Sequence, residues 1–218
     1  MIIVALTDIH GAARGLDRFA GPLGEADLVL LAGDLTHFGG RDDAEAALQA
    51  VRQHNESVLA VPGNCDRPEV TDYLSEQGVG LHGHCTEVDG IAFLGLGGSL
   101  PAPGGTPNEF SEEKLGALLQ RAGDEADPER PWVLLSHQPP ADTAVDRVSG
   151  GDHVGSQSVR RFIERHEPLI CFSGHIHESR GTDRIDATRL VNPGPARHGH
   201  YAWAELDGDV RTLEVRSV

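Results

Sequence analysis

The sequence predicts a layered α/β fold with β-rich, antiparallel segments beside the α/β layers. Three observations carry this. Short apolar runs recur along the chain, and each ends on Gly, Pro, Asp, Asn or His. Stretches of helical period lie between several of them. Three further segments read as tight hairpins rather than strand–helix units, so the sheets are expected to be mixed.

Residues 2–6 (IIVAL), 27–32 (DLVLLA), 57–62 (SVLAVP), 132–137 (WVLLSH) and 169–175 (LICFSGH) read as buried strands, rich in β-branched residues and leucine. Residues 41–54 (RDDAEAALQAVRQH) read as an amphipathic helix. Ala44, Leu48 and Val51 share one face, and an acidic first turn suits the helix N-terminus. Residues 111–124 open on Ser111 as N-cap and turn Leu115, Leu118 and Leu119 inward. A third helix, 155–168, is stopped by Pro168. Residues 85–98 form a hairpin pattern turning at Asp89–Gly90. Residues 182–194 form another, and 199–215 a third around Asp207–Gly208–Asp209. The Gly/Pro-rich stretch 97–110 is a candidate rim or lid. No repeat or linker interrupts the chain, so residues 1–218 are expected to form one domain.

Composition excludes some functions. Asp and Glu number 34 against 18 Lys and Arg, a net charge of −16, and Lys114 is the only lysine. Such a surface repels phosphate backbones, so general nucleic-acid binding through a basic patch is not expected. An acidic, lysine-poor surface suits a high-salt cytoplasm, and a GC-rich genome would also replace lysine by arginine. Cys65, Cys85 and Cys171 are widely spaced and form neither a zinc module nor a disulfide framework. The N-terminal apolar run is too short for a signal sequence or a membrane span. A soluble, cytoplasmic protein with no membrane partner is expected.

The strand ends carry the chemistry. Asp8 and His10 follow the first strand, Asp34 and His37 the second, and Asn64, Cys65 and Asp66 the third. His137 follows the fourth, and His175 and His177 the fifth. Ligands of open α/β sheets gather outside the carboxyl ends of the strands. Asp8 and His10 are two residues apart and point the same way in extended chain, as do His175 and His177. Imidazoles and carboxylates together suit first-row divalent metals. Asp34 can bridge two cations with its two oxygens, and Asn64 offers a neutral carbonyl oxygen. Gly33, Gly63 and Gly174 precede these ligands and are expected to allow sharp turns.

The set Asp8-x-His10, Gly33-Asp34, Gly63-Asn64-x-Asp66, His137 and Gly174-His175-x-His177 resembles the calcineurin-like metallophosphoesterase superfamily. Residues 151–179 and the segment VNPGP, 191–195, look like its small, single-domain Icc-like branch. The resemblance implies a four-layer α/β/β/α sandwich of two mixed sheets flanked by helices. It implies a first metal on Asp8, His10 and His177, a second on Asn64, His137 and His175, and Asp34 as the bridge. The implied activity is a dinuclear-metal-dependent phosphoesterase. In the implied reaction a hydroxide held by both metals would attack phosphorus of a phosphodiester or small phosphomonoester. Manganese is the first expectation for the two divalent ions, with iron, zinc or nickel as alternatives.

Many members carry histidine where this chain has Cys65, and a thiol matches the role of proton donor poorly. His37 is the first candidate for a substitute acid or phosphate contact, and His153 the second. Asp66 is placed with these catalytic candidates, with the alternative role of orienting backbone or a ligand histidine. Asn64 and Cys65 are expected to face the substrate. His54, His82, His84, His166, His198 and His200 are expected to be solvated. Two other functions stay open. One is a binding or scaffold module of the same fold, although every ligand position is filled. The other is a protein Ser/Thr phosphatase, although little chain is left for a peptide groove.

Overall fold

The computed structural model describes residues 1–218. Eleven strands form two sheets. The first comprises β1 (Ile2–Leu6), β2 (Leu28–Ala32), β3 (Val58–Val61), β10 (His200–Leu206) and β11 (Val210–Ser217). Its order is β11-β10-β1-β2-β3. The second comprises β4 (Cys85–Val88), β5 (Ile91–Leu96), β6 (Trp132–Ser136), β7 (Ile170–Phe172), β8 (Gly181–Ile185) and β9 (Thr188–Asn192), in the order β4-β5-β6-β7-β9-β8. Strands β1, β2 and β3 pair in parallel, as do β5, β6, β7 and β9. Strands β4, β8, β10 and β11 join through antiparallel pairs.

The apolar runs do not alternate with polar residues because both faces of each central strand are covered. Ile3, Ala5, Leu30 and Val61 of the first sheet meet Phe93, Leu135 and Phe172 of the second in a core between the sheets. The intervening residues Val4, Leu6, Leu31 and Ala60 face outward onto helices α1 (Ala20–Glu25), α2 (Arg41–Arg52) and α3 (Pro68–Glu76). Leu94, Leu134 and Leu190 of the second sheet face α4 (Glu112–Glu125) and α5 (Gln157–His166). The result is a four-layer α/β/β/α sandwich, as expected. No helix is long and apolar enough to cross a membrane.

Local signals explain most element ends. The Ser111 side chain accepts from Lys114 N at the start of α4, and Ser156 caps α5 through Ser158 N and Val159 N. Glu167, ahead of Pro168, takes a left-handed conformation that ends α5. Asp89 and Gly90 both have positive φ, 49° and 77°, which suits a two-residue hairpin turn. Helix α3 was not read in the sequence. It begins at Pro68, which occupies the first turn without loss because no intrahelical partner awaits its nitrogen. The stretch 97–110 is tied down at the carboxyl end of β3: Asn108 N donates to Asn64 O and Asn108 Nδ2 to Gly63 O.

Candidate metal centre

The two sheets bring the carboxyl ends of β1, β2, β3, β6 and β7 to one edge. Asp8 is fully buried there. Its Oδ2 accepts from Thr7 Oγ1 at 2.9 Å and from His175 N at 3.2 Å. Its Oδ1 is buried and makes no hydrogen bond. That free oxygen lies 3.2 Å from His177 Nε2 and 3.7 Å from His10 Nε2, and the two histidine nitrogens are 3.2 Å apart. Donor atoms about 2.1 Å from one cation, at tetrahedral or octahedral angles, would lie about 3.0–3.4 Å from each other. The three atoms converge at close to that spacing.

A second group lies on the other side of Asp34. His137 Nδ1 is 2.7 Å from Ala32 O, so Nδ1 carries the proton and Nε2 keeps its lone pair for a metal. Nε2 is 2.9 Å from Asn64 Oδ1 and 3.5 Å from Asp34 Oδ1. The His175 ring is tilted against His137 with centroids 5.2 Å apart. Asp34 Oδ2 is 3.6 Å from His10 Nε2. One Asp34 oxygen therefore faces the His137–Asn64 group and the other faces the His10 group. An unbonded buried carboxylate oxygen beside imidazole nitrogens fits a divalent cation, so these residues can hold a metal ion.

Electrostatics favour loading. Burial, with the charges of Arg197 and neighbouring histidines, lowers His10 to about 4 against the pull of Asp8. Burial and His137 lower His175 to about 3. Both rings are therefore neutral near pH 7 and ready to ligate. Burial and the nearby Asp8 and Asp66 carboxylates raise Asp34 to about 6, against the attraction of His137. Burial also pushes Asp8 up, but His177, with its Nε2 3.2 Å from Oδ1, and the nearby His137 and His10 imidazoles hold it well below the usual carboxylate range. The adjacent Asp8 carboxylate raises His177.

The backbone is bent to aim these groups. Asp8, His10, Asp34 and His175 all have positive φ, from 48° to 67°. Such non-glycine conformations cost about 1–3 kcal/mol each and cluster at functional sites. Two of the three motif glycines act differently from expectation. Gly33 has φ 87° and does allow the turn. Gly63 and Gly174 lack positive φ and are required for space instead. A Cβ on Gly63 would fall on the Asp34 carboxylate and amide, and one on Gly174 on Thr7 Oγ1.

The remaining candidates separate. His37 is exposed, and its ring lies edge-on to His10 at 5.6 Å, at the mouth of the cluster. The Cys65 sulfur lies within 4.8 Å of donor atoms of both His10 and Asp34. Burial and Asp34 push its thiol well up, so it stays protonated and is a poor acid. Asp66 does not join the cluster and orients no ligand histidine. Its carboxylate accepts from Leu35 N, Thr36 N, Thr36 Oγ1 and Gly63 N at 2.7–3.1 Å, which makes it a positioning residue for two ligand loops. His153 belongs to none of the donor groups. Its Nδ1 donates to Asp146 and its Nε2 accepts from Arg147 Nε, so both ring nitrogens are committed within the 142–155 loop. His82 is half-buried: its Nδ1 accepts from Gly97 N, and burial lowers it to about 4. Sequence reasoning missed Thr7, which ties Asp8 to Ala32 O, and Asn108. A hydroxyl directly before a ligand carboxylate was a usable signal for Thr7. Nothing local marked Asn108.

The sequence model of the calcineurin-like phosphoesterase family matches residues 1–179. The chain belongs to this family. Like other calcineurin-like phosphoesterases it carries a divalent-metal ligand set on a hydrolase scaffold. It is 38% identical to an uncharacterized protein of Methanocaldococcus jannaschii over 92% of this chain and 91% of the relative. It is 26% identical to a probable cyclic nucleotide phosphodiesterase of Synechococcus over 98% of this chain and 87% of the relative. Among solved structures, a Thermus thermophilus protein superposes with a TM-score of 0.79 at 21% identity, covering 99% of this chain and 98% of that one. A purple acid phosphatase from yellow lupin superposes at 0.61 and 13% identity, covering all of this phosphoesterase chain and 51% of its own. These two likenesses establish the fold.

Proposed function

We propose that the chain, as one domain over residues 1–218, is a dinuclear-metal-dependent hydrolase of small phosphodiesters or phosphomonoesters. The observation that carries this is Asp34, whose two oxygens face two separate nitrogen and oxygen donor groups at 3.5 and 3.6 Å. Asp8, His10 and His177 would hold one cation and Asn64, His137 and His175 the other. Manganese is the proposed metal. Two such cations supply Lewis acidity and a water acidic enough to attack phosphorus near neutral pH.

The chain does the rest. Its ligand loops are preset, so little reorganisation is needed when charge develops on the phosphoryl oxygens. Neutral His10 and His175 place no competing positive charge beside the attacking oxygen. His37, exposed beside His10, is the proposed donor of a proton to the leaving oxygen or contact to the phosphate. Protonated Cys65 gives little acid help, which favours substrates with good leaving groups. The likeness to a probable cyclic nucleotide phosphodiesterase supports including diesters.

The test is hydrolysis of bis(p-nitrophenyl) phosphate and p-nitrophenyl phosphate, with Mn²⁺, with chelator, and with Asp34→Asn. Manganese-dependent turnover lost in the variant is expected. No turnover of either ester with Mn²⁺, Fe²⁺, Zn²⁺ or Ni²⁺ by folded protein would overturn the reading in favour of a binding module.

A further inference from the structure

Arg197 lies in the short 3-10 turn Ala196–His198 that follows the VNPGP segment. The turn is fastened to the site: Ala196 N donates to Thr7 O, one residue before Asp8. The Arg197 guanidinium is half-buried, and one of its terminal nitrogens, Nη2, is 3.4 Å from His177 Nδ1. Its Nε is buried and has no hydrogen-bond partner. None of the chain's arginine–carboxylate pairs involves it, although 34 residues of the chain are acidic.

Donor counting makes this position informative. A guanidinium only donates. If His177 ligates through Nε2, which faces Asp8 and His10, its Nδ1 must carry the proton and also donate. A metal-binding histidine normally gives that proton to a carboxylate, a carbonyl or water. Here Nδ1 faces another donor. Arg197 therefore cannot serve as the partner that orients a metal-loaded His177. Loading the site leaves the guanidinium facing a like donor, with a buried Nε still unmatched, at the edge of the centre. What satisfies such a fork is an anion with two or three oxygens in one plane of approach.

We propose that Arg197 is a substrate-binding residue that takes the terminal oxygens of a dianionic phosphate, and so biases the site toward phosphomonoesters over diesters. This rests on the phosphoesterase reading above and narrows its substrate class. A dianionic phosphoryl group offers free oxygens to both the cations and the fork. A diester gives up one of those oxygens to its second ester bond and carries a single charge.

The test uses the metal-loaded full chain and two variants, Arg197→Ala and Arg197→Lys. Three readouts are needed: KM and kcat for p-nitrophenyl phosphate and bis(p-nitrophenyl) phosphate, calorimetric binding of inorganic phosphate, and Mn²⁺ affinity. In Arg197→Ala, KM for the monoester and Kd for phosphate should each rise about tenfold, a usual loss for a charged hydrogen-bonding partner. KM for the diester should change much less and Mn²⁺ affinity not at all. Arg197→Lys should recover part of the phosphate affinity, since the charge remains without the fork. The proposal is overturned if Arg197→Ala leaves monoester KM and phosphate Kd within twofold, or if Mn²⁺ affinity falls in parallel, because Arg197 would then act through His177. Lack of phosphate binding by metal-loaded wild type also overturns it. If neither ester turns over but phosphate binds in an Arg197-dependent way, the hydrolase reading fails and the anion contact stands.

Discussion

Replacing Asp66 by asparagine keeps shape and volume while removing one acceptor and the charge. Four donors converge on this buried carboxylate: Leu35 N and Gly63 N on Oδ2, Thr36 N and Thr36 Oγ1 on Oδ1. The least harmful amide orientation puts Nδ2 at the Oδ1 position, where the Thr36 hydroxyl can rotate to accept. Thr36 N–H then faces an NH2 group, and an unsatisfied buried donor costs about 1–3 kcal/mol. Leu35 and Gly63 keep an acceptor but lose its charge, about 1 kcal/mol each if charge-assisted bonds are roughly twice as strong as neutral ones. The total is about 3–5 kcal/mol, a large share of the roughly 5–15 kcal/mol available to a domain. Because these loops carry Asp34 and Asn64, metal affinity should also fall by about 10–100-fold. Urea denaturation of the chelator-treated proteins reads the first effect and Mn²⁺ titration the second. Destabilisation under about 1 kcal/mol with unchanged metal affinity would refute the claim that Asp66 joins the two ligand loops.

Other outcomes follow from the same geometry. Gly174→Ala pushes a methyl into Thr7 and should weaken Mn²⁺ binding at least about tenfold, whereas Gly21→Ala, which meets open space, should not. Metal affinity should fall as pH drops through about 6, because protons then compete for Asp34, which is raised to about 6, and for His177, which is also raised. Calorimetry in buffers of different ionisation enthalpy would show the released protons, and affinity flat from pH 7.5 to 5.5 would contradict those shifts. Metal present at about 100 times its Kd should add roughly 2.7 kcal/mol of stability and raise the melting temperature by about 5–10 °C, so a chelator should reverse that gain.

Much of this centre was legible in the sequence. Asp8, His10, Asp34, Asn64, His137, His175 and His177 each follow an apolar run, and a buried strand has no use for a charged end unless the end is a site. The mixed sheets were legible for a similar reason, because the Asp89–Gly90 and Asp207–Gly208–Asp209 turns announce antiparallel neighbours. What was hidden depends on approaches across the fold. Asp66 reads like a catalytic carboxylate because it shares the Gly-Asn-x-Asp segment, and only the arrival of the Leu35 and Thr36 amides from another loop makes it a staple. His153 reads like a spare acid until Asp146, seven residues away, takes its proton-bearing nitrogen. Gly63 and Gly174 looked like turn residues, but the space they leave is filled by side chains more than 25 residues distant in sequence. His82 reads as a hairpin histidine, and the Gly97 amide that donates to it comes from the following β5 exit.

Electron paramagnetic resonance of the chain titrated with Mn²⁺ tests the central claim most directly. Two ions bridged by Asp34 predict saturation near two per chain and an exchange-coupled spectrum. Asp34→Asn should abolish the coupling. Saturation at one ion per chain with an isolated six-line signal would contradict a dinuclear centre.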